Sequence, residues 1–136
     1  MRELGRFYEM LLKHGALGSK RILASPTVEA ITTRQRIGML DQTFGIVLDW
    51  GLGFIVDAFL YGKYCSDRAF GHGGAQSSVG FCDPEHDLVV AMVLNGMPGS
   101  LPHNQRMLNL ANAIYLDLGL VEEGEQGKPR ELPKVG

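Results

Sequence analysis

The run Leu88-Val-Val-Ala-Met-Val-Leu94 is apolar at every position, and no other stretch of this 136-residue chain limits the fold as strongly. At seven residues it is too short for an ordinary helix and far too short to span a bilayer. Its β-branched content fits a strand. A strand without polar alternation is covered on both faces, so the run predicts a central strand between two layers, with helices as the covers. Asp83-Pro84-Glu85-His86-Asp87 precedes it and reads as a proline-containing turn, which makes Ser77–Cys82 the other arm of a β-hairpin.

Covers are available at both ends of the chain. Leu4, Phe7, Tyr8, Leu11 and Leu12 recur at helical spacing, with Gly15 placed to stop the helix. Met107, Leu108, Leu110, Ala111, Ile114, Tyr115 and Leu118 define a longer amphipathic helix that begins near His103 and ends near Gly119, after a breaker segment from Pro98 to Pro102. Ser25-Pro26 reads as the start of a short helix through Thr27–Gln35, with Val28 and Ile31 on one side. From Phe44 the pattern changes to short β-branched or aromatic runs broken by glycine, and 57–68 reads as a connection. These signals predict an α+β fold with three to four antiparallel strands drawn from Phe44 to Asn95. Residues 1–120 hold the folded part. Residues 121–136 are Glu, Gly, Lys and Pro with almost nothing to bury, and read as a polar flexible tail.

Composition excludes several classes of function. A net charge of -2 and the lack of a Lys/Arg-rich run leave no electrostatic footprint for nucleic acid. The N-terminus carries spread charge and no apolar core of a signal peptide, so the chain gives no cellular address and no membrane span. Cys65 and Cys82 are too few for a disulfide framework.

The chemistry concentrates between Ala69 and Gly80, where His72 stands among Gly71, Gly73 and Gly74 and no bulky side chain follows until Val79. A ligand can approach such a backbone closely, although a plain glycine-rich hairpin connection fits the same residues. Known motifs narrow the choice. Neither Ser77 nor Ser78 sits in Gly-x-Ser-x-Gly, so the nucleophile elbow of α/β-hydrolases is absent. Gly51-Leu-Gly53 and Gly71-His-Gly73 lack the third glycine of a dinucleotide loop, and there is no Gly-Lys-Ser/Thr, so no cofactor is expected. Cys82, His86 and His72 offer ligand atoms for a metal, but Cys-x3-His in a hairpin turn without a fourth partner is most often coincidence, and no metal is expected.

Read in order, Leu4-Gly-Arg-Phe-Tyr, Ile22-Leu-Ala-Ser-Pro-Thr-Val-Glu-Ala-Ile, Trp50-Gly-Leu-Gly-Phe, Phe70-Gly-His-Gly-Gly, Phe81-Cys-Asp-Pro-Glu and Val90-Ala-Met-Val-Leu-Asn resemble the C-terminal part of the serine β-lactamase and penicillin-binding-protein-like family, especially its esterase and class C branch. The resemblance runs from about Arg2 to Leu118. It implies a partial β-lactamase/transpeptidase-like domain, with an antiparallel sheet flanked by helices and the third family motif, Lys-Thr-Gly or its His variant, on a sheet-edge strand.

Carried over by position, His72 takes the first place of that motif, a hydrogen-bonding or cationic group beside the nucleophile's network, and Gly74 matches its glycine. The backbone N–H of Ala75 then supplies half of an oxyanion hole. Gly73 replaces the usual hydroxyl residue, which favours ester hydrolysis over β-lactam or peptide chemistry. Gly73 and Gly74 would border the acyl substrate. The first two motifs are missing: no serine stands three residues before Lys13, Lys20, Lys63, Lys128 or Lys134, and no Tyr-x-Asn occurs. The resemblance therefore implies a nucleophile in a missing N-terminal segment, and a chain inactive by itself. The uncapped start of the first helix agrees with that. Two other readings stay open, a non-catalytic binding module that keeps the pocket edge and a metal-binding module at Cys82 and His86. The missing segment also predicts exposed apolar surface beside the first helix and the sheet edge near Phe70.

Overall fold

The computed structural model describes residues 1–75, 77–130 and 132. Helix α1 is Arg2–Leu12, followed by a small hairpin of β1, Ala16–Leu17, and β2, Lys20–Arg21. Helix α2 is Ser25–Thr32, with Pro26 in its first turn, where no backbone donor is needed. The main sheet comprises β3, Arg36–Asp41; β4, Ile46–Trp50; β5, Ile55–Val56; β6, Phe70–Gly73; β7, Ser78–Asp83; and β8, Leu88–Val93. A 3-10 turn at Phe59–Tyr61 lies between β5 and β6, and helix α3, Ser100–Asp117, follows the sheet. No described helix is long and apolar enough to cross a membrane.

The six strands form one antiparallel sheet in sequence order, so every neighbour in space is a neighbour in the chain. The α+β class expected from the sequence is what the structure has. The sheet has six strands where three to four were expected; β3 was not foreseen, and Phe44 lies in the β3–β4 turn rather than in a strand. Arg36–Asp41 escapes a pattern reading because Ile37, Met39 and Leu40 are all exposed, which leaves no alternation to see. The last helix begins at Ser100, ahead of the expected start, with Pro102 inside its first turn.

Strand β7 divides the core by strict alternation. Val79 and Phe81 point to the face covered by Met107, Ala111 and Tyr115 of α3, and Cys82 points to the face covered by Tyr8, Met10 and Leu11 of α1. Complete burial of a side chain such as Phe81 stabilises by about 2–3 kcal/mol. Helix α1 sits close because Gly80 has no side chain: a Cβ there would lie 2.5 Å from the Tyr8 ring. Both covers foreseen from the sequence are in place.

Two expectations need correction. Strand β8 is an edge strand, with β7 its only partner among the described residues, although it was expected to be central. Its apolar run arises because α1 and the α3-side core cover both faces, and that burial is independent of lateral position. Phe70 is only 3% exposed on an interior strand, so no apolar surface opens there. Phe7 of α1 is exposed as expected, but the densest exposed apolar group lies on the β3–β4 hairpin, where Ile37 is 66% and Leu40 62% exposed. Lys128 and Arg130, beyond Val121, make contacts through charge. Lys128 pairs with Asp57 at 2.7 Å and Asp67 at 2.8 Å, and Arg130 donates to Asp57 Oδ1 at 2.5 Å and to the Gly62 carbonyl at 3.2 Å.

Buried ionisable groups set the pH range of stability. Burial pushes the Cys65 and Cys82 thiols up to about 12. For Asp83, burial alone would raise the pKa, but donors from Ser66, Tyr115 and His86 outweigh it and hold the carboxyl below its usual range. Burial lowers His103. Below about pH 6.5 the unfolded chain takes up a proton at His103 that the folded chain resists, and below about pH 4 the same holds for Asp83. Above about pH 8.5 the unfolded thiols ionise first. Stability measured by urea unfolding is therefore expected to be greatest near pH 7–8 and to fall on both sides. An alkaline limb that stays flat to pH 10 would contradict the burial of the two thiols.

A candidate active-site edge

The stretch that the sequence singles out lies on β6 and the hairpin after it. β6 is paired with β7 along its whole length, from Phe70↔Cys82 to Gly73↔Val79. On its other side β5 reaches only Phe70 and Gly71. The strand is therefore interior at its start and has a free side at His72 and Gly73, where a sheet edge was expected. Gly71 is fixed by close packing, since a Cβ there would stand 2.6 Å from both Cα and Cβ of Phe81. The Gly74 N–H donates to the Ser78 carbonyl at 2.8 Å and closes the hairpin. Ala75 follows, exposed, and its N–H donates to no other group among the described residues.

His72 is exposed, and its Nδ1 lies 2.6 Å from the Gly73 carbonyl oxygen. A carbonyl only accepts, so Nδ1 is the donor in this contact. The ring lies 5.7 Å from Trp50 and 6.4 Å from Phe44, centroid to centroid. From α1, the Tyr8 phenol backs the same segment: burial raises its pKa to about 12, and a hydrogen bond with the His72 backbone pulls weakly the other way. Sequence reasoning missed Phe44, Tyr8 and Asp41 as neighbours of this site, because each comes from a separate element. Trp50 was legible only as part of Trp-Gly-Leu-Gly-Phe.

Both nearby serines are held by backbone contacts. Ser78 pairs with Val93 in the sheet, and the Ser77 carbonyl accepts the Leu94 N–H at 2.7 Å. Lys13 is engaged by Asp87 at 2.9 Å, Lys128 by Asp57 and Asp67, and Lys63 lies over the Tyr64 ring at 4.6 Å. None of these is a base for a serine at the hairpin. The metal reading fails on geometry. Cys82 points into the α1 side, whereas His86 bonds Asp83 at 2.9 Å and stands edge-on to Tyr115 on the α3 side. No group of three His, Cys, Asp or Glu among the described residues could hold an ion. A groove of about 810 Å³ lies elsewhere, between β4, residues 56–59 and Pro129, Arg130 and Leu132, and His72 does not line it.

The chain matches no curated protein sequence. Among solved structures it is similar to a penicillin-binding protein homologue from Caulobacter crescentus, at 28% identity and a TM-score of 0.69 over 83% of this chain and 30% of that one. It is similar to a family VIII carboxylesterase at 29% identity and a TM-score of 0.65, over 79% of this chain and 30% of the other. A β-lactamase from Mycobacterium bovis, 23% identical over 82% of this chain and 41% of its own, shares the fold with a TM-score of 0.65. The chain thus spans less than half the length of each of these structures. The family model for beta-lactamase matches residues 1–113, and the chain belongs to that family.

Proposed function

We propose that this chain is the His-Gly-Gly side of an acyl-hydrolase site, acting on esters in preference to β-lactams, with the nucleophile and its base supplied by residues outside it. The observation that carries the reading is the open side of β6 at His72 and Gly73, followed by the N–H of Ala75, which no described residue accepts, in a chain of the beta-lactamase family. Several features support it. The sequence has neither Ser-x-x-Lys nor Tyr-x-Asn, and the chain covers 30% of the penicillin-binding protein homologue and of the carboxylesterase. Glycine at position 73 offers no hydroxyl to a substrate carboxylate, which favours plain esters. Ile37 and Leu40 of β3, and the edge of β8 that no described strand pairs, offer apolar contact area and backbone groups to the remaining part of such a fold.

In this site the Ala75 N–H stabilises the oxyanion as the acyl carbon becomes tetrahedral, and His72 Nε2 accepts a hydrogen bond from the nucleophile's network or from the ester. The test uses p-nitrophenyl acetate and a fluorophosphonate probe. The isolated chain is expected to show neither hydrolysis above a His72→Ala control nor labelling. Fused to an upstream segment carrying Ser-x-x-Lys and Tyr-x-Asn, it is expected to hydrolyse the ester, with His72→Ala lowering kcat/KM by about 10²-fold. Stoichiometric labelling of Ser77 or Ser78 in the isolated chain would overturn this reading in favour of a complete enzyme. A fused protein indifferent to His72→Ala would favour the non-catalytic binding module.

A further inference from the structure

The β3–β4 hairpin brings two rings to the His72 edge. Phe44 is 48% exposed, yet it stacks on Trp50 at 6.3 Å with ring planes 28° apart, and both rings face His72. What holds them is Asp41, which is itself buried. One of its oxygens accepts the N–H groups of Thr43 at 2.9 Å and Phe44 at 3.1 Å, which shapes the turn that carries Phe44. The other accepts Arg36 at 3.0 Å and the Trp50 indole N–H at 3.1 Å. The indole's only polar group is therefore satisfied within the protein. What the two rings offer outward is apolar ring surface, and its border is the imidazole, Gly73 and the open side of β6.

We propose that Phe44 and Trp50 form the seat for an aromatic group of the ester substrate, so that the site selects aryl or benzyl esters over aliphatic esters of similar size. The proposal rests on the ester-hydrolase reading above and names the substrate class for it. Flat rings presented without free donors or acceptors recognise a ligand by stacking and apolar burial, and an aromatic pair is typically worth several-fold in affinity beyond the area it buries. Asp41 acts as a positioning residue: it sets both rings and touches no ligand.

Trp50 is the only tryptophan of the chain, so its emission reports on this seat directly. The isolated chain is titrated with benzyl acetate and, separately, with n-pentyl acetate, following Trp50 emission and the amide shifts of Phe44 and His72. Benzyl acetate is expected to give a saturable change with affinity about fivefold tighter than n-pentyl acetate. Phe44→Ala is expected to remove that preference, Phe44→Leu to keep pentyl binding while losing the benzyl advantage, and Leu118→Ala, exposed at the C-terminal end of α3, to change nothing. Circular dichroism checks the fold of each variant, and if Phe44→Ala unfolds, Phe44→Leu and the comparison of the two esters decide the matter. Equal affinity for the two esters, no saturable change, or a benzyl preference that survives Phe44→Leu overturns the proposal. Because binding is read without turnover, an inactive fused protein would leave a benzyl preference standing, and an active one could equally lack it.

Discussion

Asp83→Ala is expected to lower the unfolding free energy by about 3–5 kcal/mol, the largest effect of any single substitution considered for this chain. The carboxylate is wholly buried at the end of β7. It accepts the Ser66 N–H at 2.9 Å, the Tyr115 hydroxyl at 2.7 Å, His86 Nδ1 at 2.9 Å and the Glu85 N–H at 3.2 Å. Alanine would leave donors from three separate segments facing a void, and each buried donor left unmade costs about 1–3 kcal/mol. Tyr115→Phe removes one donor and leaves the carboxylate its other bonds, so a smaller loss of about 1 kcal/mol is expected. Urea unfolding of the two variants at pH 7 checks the ranking. A loss below about 1 kcal/mol for Asp83→Ala would mean that water replaces the carboxylate, contrary to its complete burial.

Gly71→Ala is expected to destabilise by about 3 kcal/mol and to disturb the candidate site at the same time. The added methyl would meet the backbone and Cβ of Phe81 at 2.6 Å, and a strand backbone cannot rotate away as a side-chain tip can. β6 and β7 would have to part where the Gly71↔Phe81 pair leads into His72↔Gly80, beneath the segment that carries the Gly73 carbonyl and the Ala75 N–H. Gly53→Ala provides the contrast. A Cβ there meets nothing within 4 Å, but its φ of 93° makes a side chain strained, so a loss of about 1–2 kcal/mol is expected without any change at the His72 edge. Thermal unfolding together with the amide shifts of His72 and Ala75 separates the two effects. If Gly71→Ala leaves those shifts in place, the strand contact does not position the site.

The physical content of these predictions was unevenly legible in the sequence. The period of apolar residues recorded α1, α3 and the β7–β8 hairpin, because burial on a helix stripe or a strand face is written directly into residue type. It also recorded that β8 is covered on both faces. It could not record that β8 lies at the edge, because lateral neighbours are chosen by backbone hydrogen bonds that every residue offers alike. For the same reason β3, whose apolar residues face outward, left no pattern.

The candidate site divides along the same line. The stretch His72-Gly73-Gly74 and the family it points to were determined by the sequence alone, because an imidazole among glycines and the order of the surrounding motifs are local facts. Only the tertiary structure decided that β5 stops short and opens the side of β6 at His72, and that Phe44 and Trp50 reach the imidazole. It alone assigned two aspartates their work: Asp41 sets the aromatic pair, and Asp83, which reads in the sequence as the first residue of a polar turn, lies at the centre of the α3-side core. A carboxylate's role depends on which donors converge on it, and here those donors come from as far away as Tyr115, 32 residues along the chain from Asp83.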